Sequence, residues 1–218
     1  MRRGLVSEVF VTENANARFG TMLADVPVHV VTERAAKALS ETVTPVGLVA
    51  VCSLPEVSLH DVLATSPRLV AVAVEISEPG NAGTLIRVAD AMGADAVVLA
   101  GHSVDPYNGK CLRASAGSIF SVPVVSESDA PGALAALAEA GLQVLATTVD
   151  GEVSLDDADL SGPTAWLFGP ESQGLPSGLA DMATRRVRIP MPGKAESLNV
   201  ASAAAICLYQ SARAHRFA

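Results

Sequence analysis

From residue 69 onward the apolar positions fall into short runs whose period alternates between that of a strand and that of a helix. Residues 69–76 are a nearly unbroken β-rich apolar run, as in a parallel strand covered on both faces. A loop of Ser77, Glu78, Pro79, Gly80 and Asn81 leads into a helix over 83–92. Further strands are expected over 96–100, 122–125, 144–148, 164–168 and 186–189. Helices are expected over 131–140, stopped by Gly141, over 175–182, and over a long final stretch from Ser197 to about residue 215, with Ser197 as N-cap. Such alternation predicts an α/β fold built on a mainly parallel sheet.

Residues 1–54 read differently. Short strands over 6–11, 27–31 and 47–52 and a helical turn over 33–39 make a thin core for an independent domain. Residues 53–66 are linker-like, with Pro55 and Pro67 near the ends. The expected organisation is therefore a small unit over 1–54, a linker over 55–67 and a larger domain over 68–218.

Composition narrows the function classes. The chain has 218 residues, of which 50% are hydrophobic and 17% charged, which excludes wholesale disorder. No apolar run reaches the roughly 20 residues of a membrane-spanning helix. Met1, Arg2 and Arg3 are followed by no continuous apolar stretch of the signal-peptide kind, so a cytoplasmic location is expected. Cys52, Cys111 and Cys207 are widely spaced and fit buried thiols in a reducing compartment. At 4% aromatics, a stacking platform for single-stranded nucleic acid is not expected.

The net charge is −8, but the acidity is local. Residues 127–160 hold eight acids and no Lys or Arg, and the rest of the chain is balanced. A phosphate-binding face therefore stays open, with Lys110 and Arg113, or Arg185, Arg186 and Arg188, as candidates. The plain alternative for each is a solvated surface charge.

Three loops that follow strand ends are rich in Gly and Pro: residues 78–83, 168–175 and 191–199. In open α/β sheets the ligand sits at such ends, and small residues let backbone approach it closely. The usual signatures are absent: there is no GxGxxG after a strand, no GxxxxGK[ST], no HExxH and no GxSxG. The four His residues are scattered, and no metal constellation is seen. His102, just after a strand, reads as a surface or core residue ahead of a functional one.

At these loops the sequence resembles the SpoU/TrmH family of RNA 2′-O-ribose methyltransferases, within the SPOUT superfamily of knotted proteins. The first motif is Asn-x-Gly-x-x-x-Arg, present as Asn81, Gly83 and Arg87. The second is the run Phe168, Gly169, Pro170, Glu171, Ser172, Gln173, Gly174, Leu175. The third is Ile189, Pro190, Met191, Pro192 and Gly193, followed by Ser197, Leu198, Asn199, Val200 and Ala201. Each is weak alone; the three in this order are specific. Residues 110–117 (KCLRASAG) are also similar to the ribosomal-RNA branch.

The resemblance implies a SPOUT-type α/β knot, a C-terminal trefoil on a mainly parallel sheet. Periodicity alone leads instead to an unknotted doubly wound sheet. It implies S-adenosylmethionine as cofactor, held largely by backbone at Thr147, Gly169, Ile189 and Leu198, and a homodimer acting on RNA without a metal. Residues 1–54 resemble part of a ribosomal-protein-like RNA-binding domain, short at its N-terminus.

The candidate catalytic set is Asn81, Arg87, Glu171, Ser197 and Asn199, with Arg113 and Ser115 as substrate-binding candidates. The reaction needs a ribose hydroxyl oriented and deprotonated. The resemblance makes Arg87 a base assisted by the substrate phosphate, but a guanidinium pKa above about 12 suits a bidentate phosphate clamp equally. The plain roles are a turn former for Asn81, a solvated residue for Glu171 and an N-cap for Ser197. Trp166 and Tyr209 are expected in the core ahead of base stacking. Ribosomal RNA is favoured over transfer RNA. A non-catalytic RNA-binding or assembly factor on the same fold is the alternative, motivated by the short first unit and the acidity. A nicotinamide oxidoreductase is remote without GxGxxG.

Overall fold

The computed structural model describes residues 4–40, 42–170 and 174–216. Residues up to Glu56 form one compact unit and those from Val57 onward a second.

The first unit is a three-stranded sheet of β1 (Val6–Val11), β2 (Val28–Val30) and β3 (Leu48–Cys52), in the order β2-β1-β3. β2 runs parallel to β1, and β3 antiparallel. Helix α1 (Glu13–Phe19) is started by Thr12 and helix α2 (Glu33–Leu39) by Thr32, whose hydroxyls accept from the Ala15 and Ala35 amides at 3.2 Å. Gly47 has φ +78°, and a methyl there would meet Thr12 Oγ1 at 2.6 Å, so only glycine closes this turn over the α1 cap. The core is small, centred on Val9, Val11, Ala15 and Leu23.

The second unit begins with α3 (Leu59–Leu63), inside the stretch expected to be a linker. Ser58 Oγ accepts from the Asp61 amide while Asp61 Oδ2 accepts from the Ser58 amide, both at 3.1 Å, a complete capping box. Leu59 and Val62 are buried, which fixes the short helix against the sheet.

That sheet has seven strands: β4 (Leu69–Val74), β5 (Ala96–Ala100), β6 (Val124–Glu127), β7 (Gln143–Thr147), β8 (Val153–Ser154), β9 (Thr164–Phe168) and β10 (Arg185–Arg188). Their order is β6-β5-β4-β9-β7-β10-β8, and every pairing is parallel. The central strand explains the unbroken apolar run. Leu69, Ala71 and Ala73 point into one core with Leu85, Ile86, Trp166 and Leu208; Val70, Val72 and Val74 point into the other with Leu134, Leu137 and Leu167. Both faces are dry, so both parities must be apolar.

Helices α4 (Pro79–Ala91), α5 (Gly109–Ser115) and α8 (Val200–His215) pack on the first core; α6 (Ala130–Glu139) and the short α7 (Ser177–Ala180) belong with the second. Helix α4 starts four residues before the expected Gly83, because Pro79 fits its first turn and Glu78 caps it. Helix α8 starts at Val200 with Asn199 as N-cap, which corrects the expectation for Ser197: Asn199 Oδ1 accepts from the Ala201 and Ser202 amides at 3.0 and 3.3 Å. Trp166 is fully buried and donates from Nε1 to Ser211 Oγ at 2.8 Å, so its indole is a core group with a satisfied N–H. Tyr209 is 56% exposed, contrary to the core role expected of it, because it lies on the outer side of α8. Among the described residues no helix is long and apolar enough to cross a membrane.

Candidate active site

The chain order reverses beside β4, where β9 and β7 are laid down on the side away from β5 and β6. Loops leaving adjacent strands diverge there and open a crevice at their C-terminal ends. A cavity of about 640 Å³ occupies it, large enough for a nucleoside-sized ligand. Its walls are Thr147, Thr148, Val149 and Asp150 past β7, Phe168, Gly169, Pro170, Gly174 and Leu175 past β9, and Ile189, Met191, Glu196, Ser197 and Leu198 past β10. Val200 and Ala203 of α8 close it.

Two features of the wall prepare it for a ligand. The loop after β9 doubles back tightly: Gly174 N donates to Pro170 O at 2.8 Å, and a methyl on Gly169 would meet Gly174 C and Leu175 N at 2.6 Å. Backbone groups are thereby brought to the surface with no side chain over them. In addition, Thr148 Oγ1 is buried without a hydrogen bond among the described residues. The Thr147 hydroxyl has the Cys207 thiol as its neighbour. Buried hydroxyls are normally paired, so Thr148 Oγ1 is a group that a ligand can satisfy. Burial pushes the Cys207 thiol up to about 12, which makes it an inert core group behind Thr147.

Of the sequence candidates, Thr147, Gly169, Ile189, Leu198 and Ser197 all line this cavity. Asn81 and Asn199 are joined to each other: Asn199 Nδ2 donates to Asn81 Oδ1 at 3.0 Å. The first turn of α4 is thereby tied to the start of α8. Arg87 lies two turns further along α4, exposed, and makes no hydrogen bond or ion pair among the described residues. Glu171 lies outside the described residues.

Gly83 has a packing role. A methyl there would overlap Cys111 O and meet Ala114 Cβ at 2.7 Å, so only glycine lets α4 and α5 touch backbone to backbone. The contact is reinforced where Lys110 Nζ donates to Glu78 Oε1 at 2.5 Å. The Lys110 side chain, together with the Gly80 amide, holds the Glu78 carboxyl below its usual range. Arg113 is exposed in the last turn of α5. Ser115 is fully buried and donates from Oγ to Leu112 O at 2.8 Å, so its hydroxyl packs the α4–α5 contact and is not presented to a substrate. His102 is exposed.

Sequence reasoning named neither Thr148, Asp150 nor Glu196 as a site residue, and all three line the wall. Thr148 and Asp150 lie just past the end of β7, and Glu196 lies within the 191–199 loop already singled out, so position past a strand was the available signal.

Residues 68–209 match the SpoU rRNA Methylase family. The chain belongs to this family. It is 35% identical over 206 residues to the 23S rRNA (guanosine(2553)-2′-O)-methyltransferase RlmP of Bacillus subtilis, covering 94% of this chain and 80% of that protein. The chain spans only 61 to 63% of several other curated relatives. Among solved structures, the SpoU methyltransferase AviRb of Streptomyces viridochromogenes in complex with AdoMet superposes with a TM-score of 0.86 and 29% identity, covering 99% of this chain and 85% of that one. The TrmH/SpoU tRNA-modifying enzyme of A. aeolicus superposes with a TM-score of 0.62 and 25% identity over 73% of this chain and 83% of its own. The parallel α/β sheet of the second unit is the fold of SpoU methyltransferases.

Proposed function

We propose that this SpoU-family protein transfers a methyl group from S-adenosylmethionine to a ribose 2′-hydroxyl of ribosomal RNA. The observation that carries the reading is the cavity at the ends of β7, β9 and β10, adjoined by the Asn81–Asn199 bond that ties two of the three motif segments together. The walls fit the donor: an unpaired hydroxyl at Thr148, bare backbone at Gly169 and an apolar surface from Phe168, Leu175, Ile189 and Leu198. When bound, the donor supplies an electrophilic methyl carbon on a positively charged sulfur.

The chain's own groups do the rest. Thr147, Gly169, Ile189 and Leu198 hold the donor. Asn81 and Asn199 hold α4 and α8 in register at the site. Arg87 grips the phosphate beside the target nucleotide as a bidentate cation and so aligns the hydroxyl for in-line attack; orientation of this kind accounts for much of the rate in a bimolecular transfer. A guanidinium that keeps its proton suits this role better than that of a base. Ser197 and Glu171 complete the substrate side, and Arg113 extends the basic path along the RNA. The chemistry needs no metal.

Ribosomal RNA is favoured over transfer RNA because similarity to RlmP and AviRb extends over the first unit, whereas the tRNA-modifying structure leaves about a quarter of the chain unmatched. We assign the first unit to RNA capture. Insertion of β10 between β7 and β8, followed by the return of α8 to α4 and β4, is the connectivity we read as the trefoil knot. The exposed Ile206 and Tyr209 on α8 suit the interface of a homodimer. The protein is assigned to the cytoplasm, where ribosomal RNA is made and modified in bacteria.

The test is calorimetric titration with S-adenosylmethionine, then an assay on unmodified ribosomal and transfer RNA. Binding plus transfer to the first RNA supports the reading; binding of neither donor nor RNA overturns it.

A further inference from the structure

Resting on the methyl-donor reading, we propose that Asp150 and Glu196 make this cavity selective for a cationic ligand, so that the spent donor is released on loss of its charge. The two carboxylates come from separate wall segments, one past β7 and the other just before α8. Among the described residues no Lys, Arg or His lines the cavity; Lys194 lies outside its wall. Neither acid makes a hydrogen bond or ion pair among the described residues, whereas Glu8, Glu78 and Glu152 elsewhere are each paired. The negative charge at the cavity therefore has no cation among the described wall residues to balance it; Arg188, which donates to Gly151 O and Glu152 O beside Asp150, lies outside the wall. The unpaired Thr148 hydroxyl in the same wall independently marks the cavity as built for a polar ligand.

The reaction changes the ligand's charge. The ribose oxygen forms a bond to the methyl carbon, and the carbon–sulfur bond breaks with its electron pair going to sulfur. The hydroxyl proton leaves to solvent. A sulfonium carrying one positive charge becomes a neutral thioether, while the rest of the ligand is unchanged. A wall bearing two uncompensated carboxylates favours the first species over the second by Coulomb attraction, and most strongly at low salt. The apolar part of the wall treats both alike. Selectivity between donor and product thus rests on Asp150 and Glu196.

The test is isothermal titration of S-adenosylmethionine, sinefungin and S-adenosylhomocysteine into the full chain and into Asp150→Asn, Glu196→Gln and the double variant. Sinefungin carries an amine in place of the sulfonium and serves as a second cation. The double variant is expected to bind both cations roughly fivefold more weakly, while its affinity for S-adenosylhomocysteine changes less than about twofold. Retained binding of the neutral ligand shows that the variant is folded and the cavity intact. Equal weakening of all three ligands, or unchanged affinity for the cations, overturns the proposal. Wild-type protein that binds none of the three overturns the underlying donor reading instead.

Discussion

Asn199 Nδ2 donates to Asn81 Oδ1 at 3.0 Å, across 118 residues of chain. The orientation of the Asn199 amide is set independently, because its Oδ1 caps α8 by accepting from the Ala201 and Ser202 amides. Its NH₂ must therefore face Asn81, which in turn must present an acceptor. Asn81→Asp keeps that acceptor and should hold near-wild-type stability. Asn81→Leu removes it and should cost about 1 kcal/mol, read as a drop of roughly 2–4 °C in Tm. Methyl transfer should fall at least about tenfold in the Leu variant, because the two motif segments lose register. Thermal melts alongside single-turnover assays separate the two effects; equal Tm for both variants contradicts the bond.

Gly83 lets α4 and α5 meet at backbone distance, with Cys111 O and Ala114 Cβ against it. Gly83→Ala forces the helices apart and should cost about 1–3 kcal/mol, roughly 2–10 °C in Tm. Gly178 has open space around it and no positive φ, so Gly178→Ala should leave Tm unchanged within about 2 °C. Differential scanning calorimetry of the pair checks the claim.

The Glu78 carboxyl is held below its ordinary value of 4.5, chiefly by the Lys110 ammonium and then by the Gly80 amide. A depressed carboxyl stabilises the folded chain above its unfolded pKa, and that contribution is lost as pH falls through the folded pKa. Glu78→Gln should therefore lower Tm at pH 7 by a small amount that vanishes as the pH falls through the depressed carboxyl pKa. A gap that grows on acidification would contradict this assignment.

The three thiols should differ sharply in reactivity. Burial raises Cys111 to about 11 and Cys207 to about 12, whereas Cys52 is only half-buried. At about pH 8 a thiol reagent should label Cys52 first and the other two only after denaturant is added. Mass spectrometry of labelled peptides gives the order.

The strands were legible where burial is two-sided. Residues 69–76 and 164–168 carry apolar side chains at both parities because helices cover both faces of β4 and β9, and no other pattern keeps such a strand dry. Helix α3 was missed although Ser58 and Asp61 spell its capping box, because five residues are too few for a helical period to show. Helix α5 and strand β8 were hidden for the same reason. The cap of α8 was misplaced by two residues because Ser197 and Asn199 are equally good N-cap types, and only the fold decides which side chain reaches the amides. The family resemblance drew attention to Thr147, Gly169, Ile189 and Leu198, which the fold gathers in one cavity. The Asn81–Asn199 bond could not be read from the chain, since it depends on how α8 returns to α4. Nor could the burial of Ser115, which follows from the close approach at Gly83.

The most direct measurement is transfer of labelled methyl from S-adenosylmethionine to unmodified ribosomal and transfer RNA, with Arg87→Ala and Arg87→Lys beside the wild type. The account predicts label in an alkali-stable dinucleotide of ribosomal RNA with the wild type. It predicts a loss of at least about a hundredfold in both variants, with donor binding intact, because a lysine cannot reproduce a bidentate grip on phosphate. Absence of label from both RNAs, or full activity in Arg87→Ala, would contradict it.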